Sequence, residues 1–96
     1  MQVLIQEFSE YLRIEKRHSP HTVAGYCRDL KRFARAFSDI EISALTTAQI
    51  REFLLLLRQE GLSPTSIARS LSSIKSLFRY LCADKQLKEN PAEILE

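Results

Sequence analysis

Two short stretches of this 96-residue chain set out the same residue types in the same order, 44 residues apart. Ser19-Pro20-His21-Thr22-Val23-Ala24 is answered by Ser63-Pro64-Thr65-Ser66-Ile67-Ala68, and the pairing continues through Lys31 with Lys75 and Arg35 with Arg79. A serine followed by proline is a helix start. The hydroxyl accepts from a free backbone N–H, and proline fits the first turn, where its missing N–H costs nothing. Such starts present N–H groups to anions, short hydroxyls donate to phosphate oxygens, and Lys and Arg neutralise them. The chemistry these residues favour is recognition of a polyanion backbone rather than bond-making.

The faces that follow the two starts strengthen that reading. At helical spacing, the first gives His21, Gly25, Arg28, Arg32 and Arg35, with Lys31 on the adjacent stripe. The second gives Thr65, Arg69, Ser72, Ser76 and Arg79, with Lys75 beside them. Asp29 is the exception in faces otherwise without acid. Solvated helix faces usually mix signs, because opposite charges four residues apart stabilise and like charges do not. Here Arg28–Arg32 and Lys31–Arg35 are both like-charge pairs at that spacing. Serines 66, 70, 72, 73 and 76 crowd the second helix, although serine is a mediocre helix former. Taken singly, a Ser-Pro start is ordinary capping, a basic face is a solvated surface, and small residues permit close helix packing. Caps, hydroxyls and single-sign charge on two helices together point to nucleic acid, and a helix fits the major groove of duplex DNA.

Composition agrees with one small globular domain. The whole chain is nearly balanced, with 14 basic and 12 acidic residues, yet residues 13–37 hold seven basic residues against two acidic ones. Residues 61–83 hold three basic residues and no acid, so the basic excess lies where the repeated signature lies. The longest apolar run, Phe53-Leu54-Leu55-Leu56-Leu57, is far short of the ~20 residues of a membrane helix. No basic region and apolar stretch of a secretory signal opens the chain, so the expected location is the cytoplasm. Cys27 and Cys82 are expected as buried free thiols. His18 and His21 have no further ligands at metal-binding spacing. With no nucleophile–base pair, metal set or phosphate-cradling glycine loop, an autonomous enzyme is disfavoured, and neither cofactor nor small-molecule ligand nor membrane partner is expected.

Four helices position these residues. The first spans about Val3 to Lys16, with an apolar stripe of Leu4, Ile5, Phe8, Tyr11 and Leu12 at helical spacing. The second starts at Ser19, carries Val23, Cys27, Leu30, Phe33, Ala34 and Phe37, and ends near Ser38. Thr46-Thr47-Ala48-Gln49 reads as a capping box opening the third helix. Its core face is Ile50, Phe53, Leu54 and Leu57, broadened by Leu55 and Leu56, and Gly61 stops it. The fourth runs from the Ser63 cap to about Ala83 with Ile67, Leu71, Ile74, Leu77, Phe78 and Leu81 inward, and Asn90-Pro91 breaks the pattern. The class is all-α, four helices joined by short turns.

The run from Glu15 to Phe33 resembles the Ser-x-x-Thr-x-x-x-Tyr-x-x-Asp-Leu-x-x-Phe pattern of tyrosine recombinases. Gly61 to Phe78 resembles their second segment and Asn90-Pro91-Ala92 their usual exit. The likeness is to the N-terminal core-binding, SAM-like domain of the Xer and phage-integrase family, from about Phe8 to Ala92. It implies a four-helix orthogonal bundle over residues 1–89, with residues 90–96 beginning a linker to an absent catalytic domain. It implies, too, that the second and fourth helices lie on double-stranded DNA, as one half of a clamp at a recombination site, and that protomers of the full-length protein are partners. Carried over by position, Ser19, Thr22 and Arg28 are contacts on the second helix, and Ser63, Ser66, Arg69 and Lys75 on the fourth. The face argument adds His21, Lys31, Arg32, Thr65, Ser72, Ser73 and Arg79. The family's catalytic half carries an Arg, a Lys, a His-x-x-Arg box, a further His or Trp and a tyrosine nucleophile. This sequence has no His-x-x-Arg, and Tyr11, Tyr26 and Tyr80 lack a surrounding His/Arg cluster. The expected role is a DNA-binding arm, not catalytic by itself; the rival is a helical interaction module whose basic faces bind an acidic protein.

Overall fold

A computed structural model describes residues 1–96 as four helices and one short 3₁₀ turn. Helix α1 is Gln2–Ile14, α2 Pro20–Ala36, α3 Thr47–Gln59 and α4 Pro64–Ala83, with the 3₁₀ turn at Ile42–Ala44 leading into α3. Each helix end has a local chemical cause. Ser19 Oγ accepts the Thr22 N–H at 3.2 Å and Ser63 Oγ the Ser66 N–H at 3.2 Å, so the repeated signature is a repeated cap. Thr46 and Gln49 close the capping box in both directions, at 3.0 and 3.2 Å. Gly61 adopts φ 94°, a left-handed setting that costs a residue with Cβ. There Gly61 N–H reaches the Arg58 carbonyl at 3.0 Å and Leu62 N–H the Leu57 carbonyl at 3.1 Å, the paired bonds of a Schellman stop. Helix α1 ends two residues earlier than the apolar spacing predicts, because Arg17 turns left-handed at φ 55° and reverses the chain toward Ser19.

The core forms where α1 and α4 pack on α2 and α3 packs on α4. Phe33 stands at its centre, fully excluded from solvent, with the rings of Phe37, Phe53 and Phe78 at 5.2, 5.4 and 6.4 Å. Leu30, Ile50, Ile74, Leu77 and Leu81 are fully buried around it. The inward stripes read from the sequence are thus the core, with two differences. Leu55 and Leu56 are exposed, since four consecutive leucines cannot share one face of a helix that turns 100° per residue. Cys27 and Cys82 are free, but both are only partly buried.

Within residues 90–96, which the sequence reads as the start of a linker, two side chains turn inward while Glu93, Ile94 and Glu96 stay exposed. Ala92 and Leu95 are buried members of the core, and Thr47 Oγ1 donates to the Pro91 carbonyl at 2.6 Å. Asn90 fastens this turn, its Oδ1 accepting the Ala92 N–H at 2.9 Å.

One buried group has no partner. Ser70 is enclosed in α4 with its hydroxyl bonded to nothing. A buried hydroxyl without a hydrogen bond opposes folding, and alanine is the better helix former. Ser70→Ala is expected to stabilise the domain by about 0.5–1.5 kcal/mol in urea denaturation; a loss of stability would mean the hydroxyl has a partner in solution.

Candidate nucleic-acid interface

Helices α2 and α4 bring their two capped starts to the surface with the same internal wiring. The Ser19 hydroxyl lies 3.0 Å from Thr22 Oγ1, and the Ser63 hydroxyl 3.1 Å from Ser66 Oγ. Pro20 and Pro64 have no N–H to give. The backbone N–H groups of Ser19 and His21, and likewise of Ser63 and Thr65, make no bond within the protein, so each start keeps free donors beside two short hydroxyls.

Downstream, the basic residues separate into distinct settings. A cleft of about 300 Å³ between α2 and α4 collects His21, Thr22, Gly25, Arg28, Arg69 and Ser73. Lys75 and Ser72 open instead on a wider groove between α3 and α4, which Arg51 and Arg58 also line. Sequence reasoning missed those two arginines, because α3 carries no Ser-Pro signature and its basic residues alternate with Glu52 and Glu60. Lys31 faces a third hollow with Arg35 near the start of α1, and Arg32 is half-buried apart from both clusters. Arg79 sits 3.8 Å from Glu93 of the tail, both side chains well exposed. The exposed residues Thr65, Ala68 and Ser72 form the ridge of α4 that divides cleft from groove, as helical spacing requires.

Ser73 is placed differently from its expected role. It is 0% exposed, and its hydroxyl lies 3.2 Å from Asp29 Oδ2 and 3.1 Å from the Arg69 carbonyl, so it offers nothing to a ligand. The cause is rotation: position 73 falls toward α2, at the inner edge of the basic face. Asp29, the lone acid in that face, is the residue the sequence pointed to without a role. It is 2% exposed and receives Arg69 Nε at 2.9 Å and Nη2 at 3.0 Å. This bond, then the carboxylate's charge, raises the Arg69 pKa above its already high value against a small opposing effect of burial. Asp29 and Ser73 are themselves 44 residues apart, so the two repeated segments meet at matching positions.

The remaining cations have no such counter-charge. Only Asp29–Arg69 and Arg79–Glu93 form ion pairs, leaving Arg28, Lys31, Arg32, Arg35 and Lys75 uncompensated. Each tyrosine packs on an aromatic neighbour, and Tyr26 also lines the α2–α4 cleft. Tyr26 lies edge-on to Phe8 at 6.4 Å, and Tyr11 and Tyr80 meet at 4.7 Å. Burial, then Asp84, Glu7 and Glu15, raises the Tyr80 phenol above its ordinary pKa, whereas nucleophilic attack needs the proton removed.

Residues 5–85 match the family described as phage integrase, N-terminal SAM-like domain. A tyrosine recombinase XerC of Lacticaseibacillus casei is 36% identical over 98 residues, covering 96% of this chain and 32% of the relative. A tyrosine recombinase of Pseudothermotoga lettingae is 37% identical over 97 residues, covering 97% of this chain and 34% of the relative. A XerC of Pseudomonas aeruginosa is 36% identical over 95 residues, with 96% and 31% covered. The chain therefore spans about a third of the length of the curated relatives it matches. With four helices, no strand and a match running from α1 to the turn after α4, the chain belongs to the phage integrase N-terminal SAM-like domain family.

Proposed function

We propose that this domain is the DNA-binding arm of a site-specific tyrosine recombinase, holding duplex DNA through α2 and α4. The observation that carries the reading is the pairing of two capped helix starts, each with free N–H groups, with five uncompensated basic side chains on α2 and α4. The contacts proposed are Ser19, His21, Thr22, Arg28, Lys31 and Arg32 on α2, and Ser63, Thr65, Ser66, Arg69, Ser72, Lys75 and Arg79 on α4. Ser73 is left out for its burial. Arg51 and Arg58 join through the groove they share with Lys75. Most of these groups suit phosphate, which sets position and orientation on the duplex; base edges read in the groove would supply sequence preference. Strand breakage and rejoining belong, on this reading, to a catalytic half of the recombinase, and synapsis to its neighbouring protomers.

Fluorescence anisotropy with a ~30 bp duplex, titrated across salt, tests the grip. Neutralising ~4–6 phosphates gives a slope of log K against log[salt] near −3 to −6. Lys75→Ala should weaken binding to every duplex alike and flatten that slope by about one. Absence of binding at low salt would redirect the basic faces to the rival reading, an acidic protein partner. The apolar floor of the α3–α4 groove, Leu54, Leu55 and Ile67 under a basic rim, is the surface that partner would use.

A further inference from the structure

We infer that Asp29 is a positioning residue of the DNA interface: it acts through Arg69, holding the guanidinium edge-on so that its opposite edge faces the α2–α4 cleft. The inference rests on the DNA-binding reading above. An arginine has five N–H donors in a rigid planar fork. Asp29 engages the side of that fork, Nε and Nη2, at 2.9 and 3.0 Å. The remaining N–H groups, on Nη1 and the outer edge of Nη2, lie at the end of the fork, which is the geometry that grips a phosphate with two parallel bonds. The Arg69 side chain is half-exposed and lines the cleft with His21, Thr22 and Arg28, so the free end is accessible to a ligand from outside.

The surroundings fix this arrangement from both helices. Asp29 is buried on α2, and Ser73, one turn below Arg69 on α4, bonds the same carboxylate oxygen that receives Arg69 Nε. Carboxylate, hydroxyl and guanidinium thus tie α2 to α4 at one level. Across the cleft, Gly25 occupies the place on α2 that Arg69 occupies on α4, 44 residues on, and a side-chain carbon there would meet no atom within 4 Å. The cleft is open opposite the fork. A free arginine loses rotamer freedom when it clamps a phosphate; here the bond to Asp29 has already restricted it before any ligand arrives.

The proposal opposes what charge alone dictates. A carboxylate beside a polyanion repels it, so removing that charge should tighten DNA binding if Asp29 has no positioning role. Asp29→Asn keeps the size and one acceptor but loses the two-oxygen grip. It is expected to weaken duplex binding about 5–10-fold, although the variant is one unit more positive. In an Arg69→Lys background, which keeps the charge and removes the fork, Asp29→Asn should no longer weaken binding, because its effect runs through the guanidinium. Binding by folded Asp29→Asn that equals or exceeds that of the unaltered protein overturns the inference, as does an undiminished loss in the lysine background. Should Asp29→Asn fail to fold, Arg69→Lys alone decides. A loss of about 3–10-fold with an unchanged salt slope supports the fork, and unchanged affinity overturns it. An unaltered protein that binds no DNA removes the interface itself, a result separate from any difference among the variants.

Discussion

Phe33→Ala is expected to cost the domain about 3–5 kcal/mol of stability. Phe33, on α2, is the one ring that meets rings of both α3 and α4, Phe53 and Phe78, together with Phe37 just beyond its own helix, at 5.2–6.4 Å. Deleting it loses the transfer free energy of a fully buried phenyl and leaves a void that three helices share. Those helices are held apart by Leu30, Ile50, Ile74 and Leu77, which are themselves fully buried and have nowhere to collapse. A domain of this size has a total stability of about 5–14 kcal/mol, so the loss takes a large share of it and reaches unfolding at the low end of that range. Thermal unfolding should drop by about 12–40 °C, and the urea midpoint should fall with it. Phe33→Leu retains most of the volume and should cost about 1–2 kcal/mol. A Phe33→Ala loss below about 1 kcal/mol would place the load-carrying packing elsewhere, in the α1 contacts of Phe8.

Much of this fold was legible because its signals are local. Ser19, Thr46 and Ser63 announce their helices by chemistry completed within three residues, and Gly61 ends one by its own backbone freedom. The inward stripes follow from helical spacing, which is why Phe33, Ile74 and Leu77 read correctly as core. What failed to be legible depends on how helices rotate against each other. Ser73 looks like its exposed neighbour Ser72, one residue and 100° away, until α2 packs over it. The exposed leucines 55 and 56 sit in an apolar run whose composition hides its geometry. Arg51 and Arg58 join Lys75 only through the tertiary groove between α3 and α4. Ala92 and Leu95 reach the core because Thr47, at the start of α3, takes hold of the Pro91 carbonyl, a bond between residues 44 apart that no local pattern signals. Asp29 stands between these cases. Its sign was anomalous in the sequence, and only the crossing of α2 and α4 gives that anomaly a partner.

That partnership changes what substitution of Arg69 measures. In Arg69→Ala, Asp29 keeps a buried carboxylate whose remaining protein bond is to Ser73. Removing one member of a fully buried ion pair costs about 3–5 kcal/mol, because the other charge is left in a poorly solvating site. Arg69 is half-exposed, so water reaches its end of the pair and the expected loss is smaller, about 2–3 kcal/mol. Lys75→Ala, which breaks no ion pair, should cost under about 1 kcal/mol. The two alanine variants would then both bind DNA weakly while only one is structurally damaged. Adding Asp29→Asn to Arg69→Ala removes the stranded charge and should recover at least about half of the stability lost, though none of the fork. Urea denaturation of the four proteins of that cycle measures the coupling directly. Equal stability of Arg69→Ala and the unaltered protein would mean the pair contributes no net energy to the fold, and that α2 and α4 are set by the apolar core beneath it.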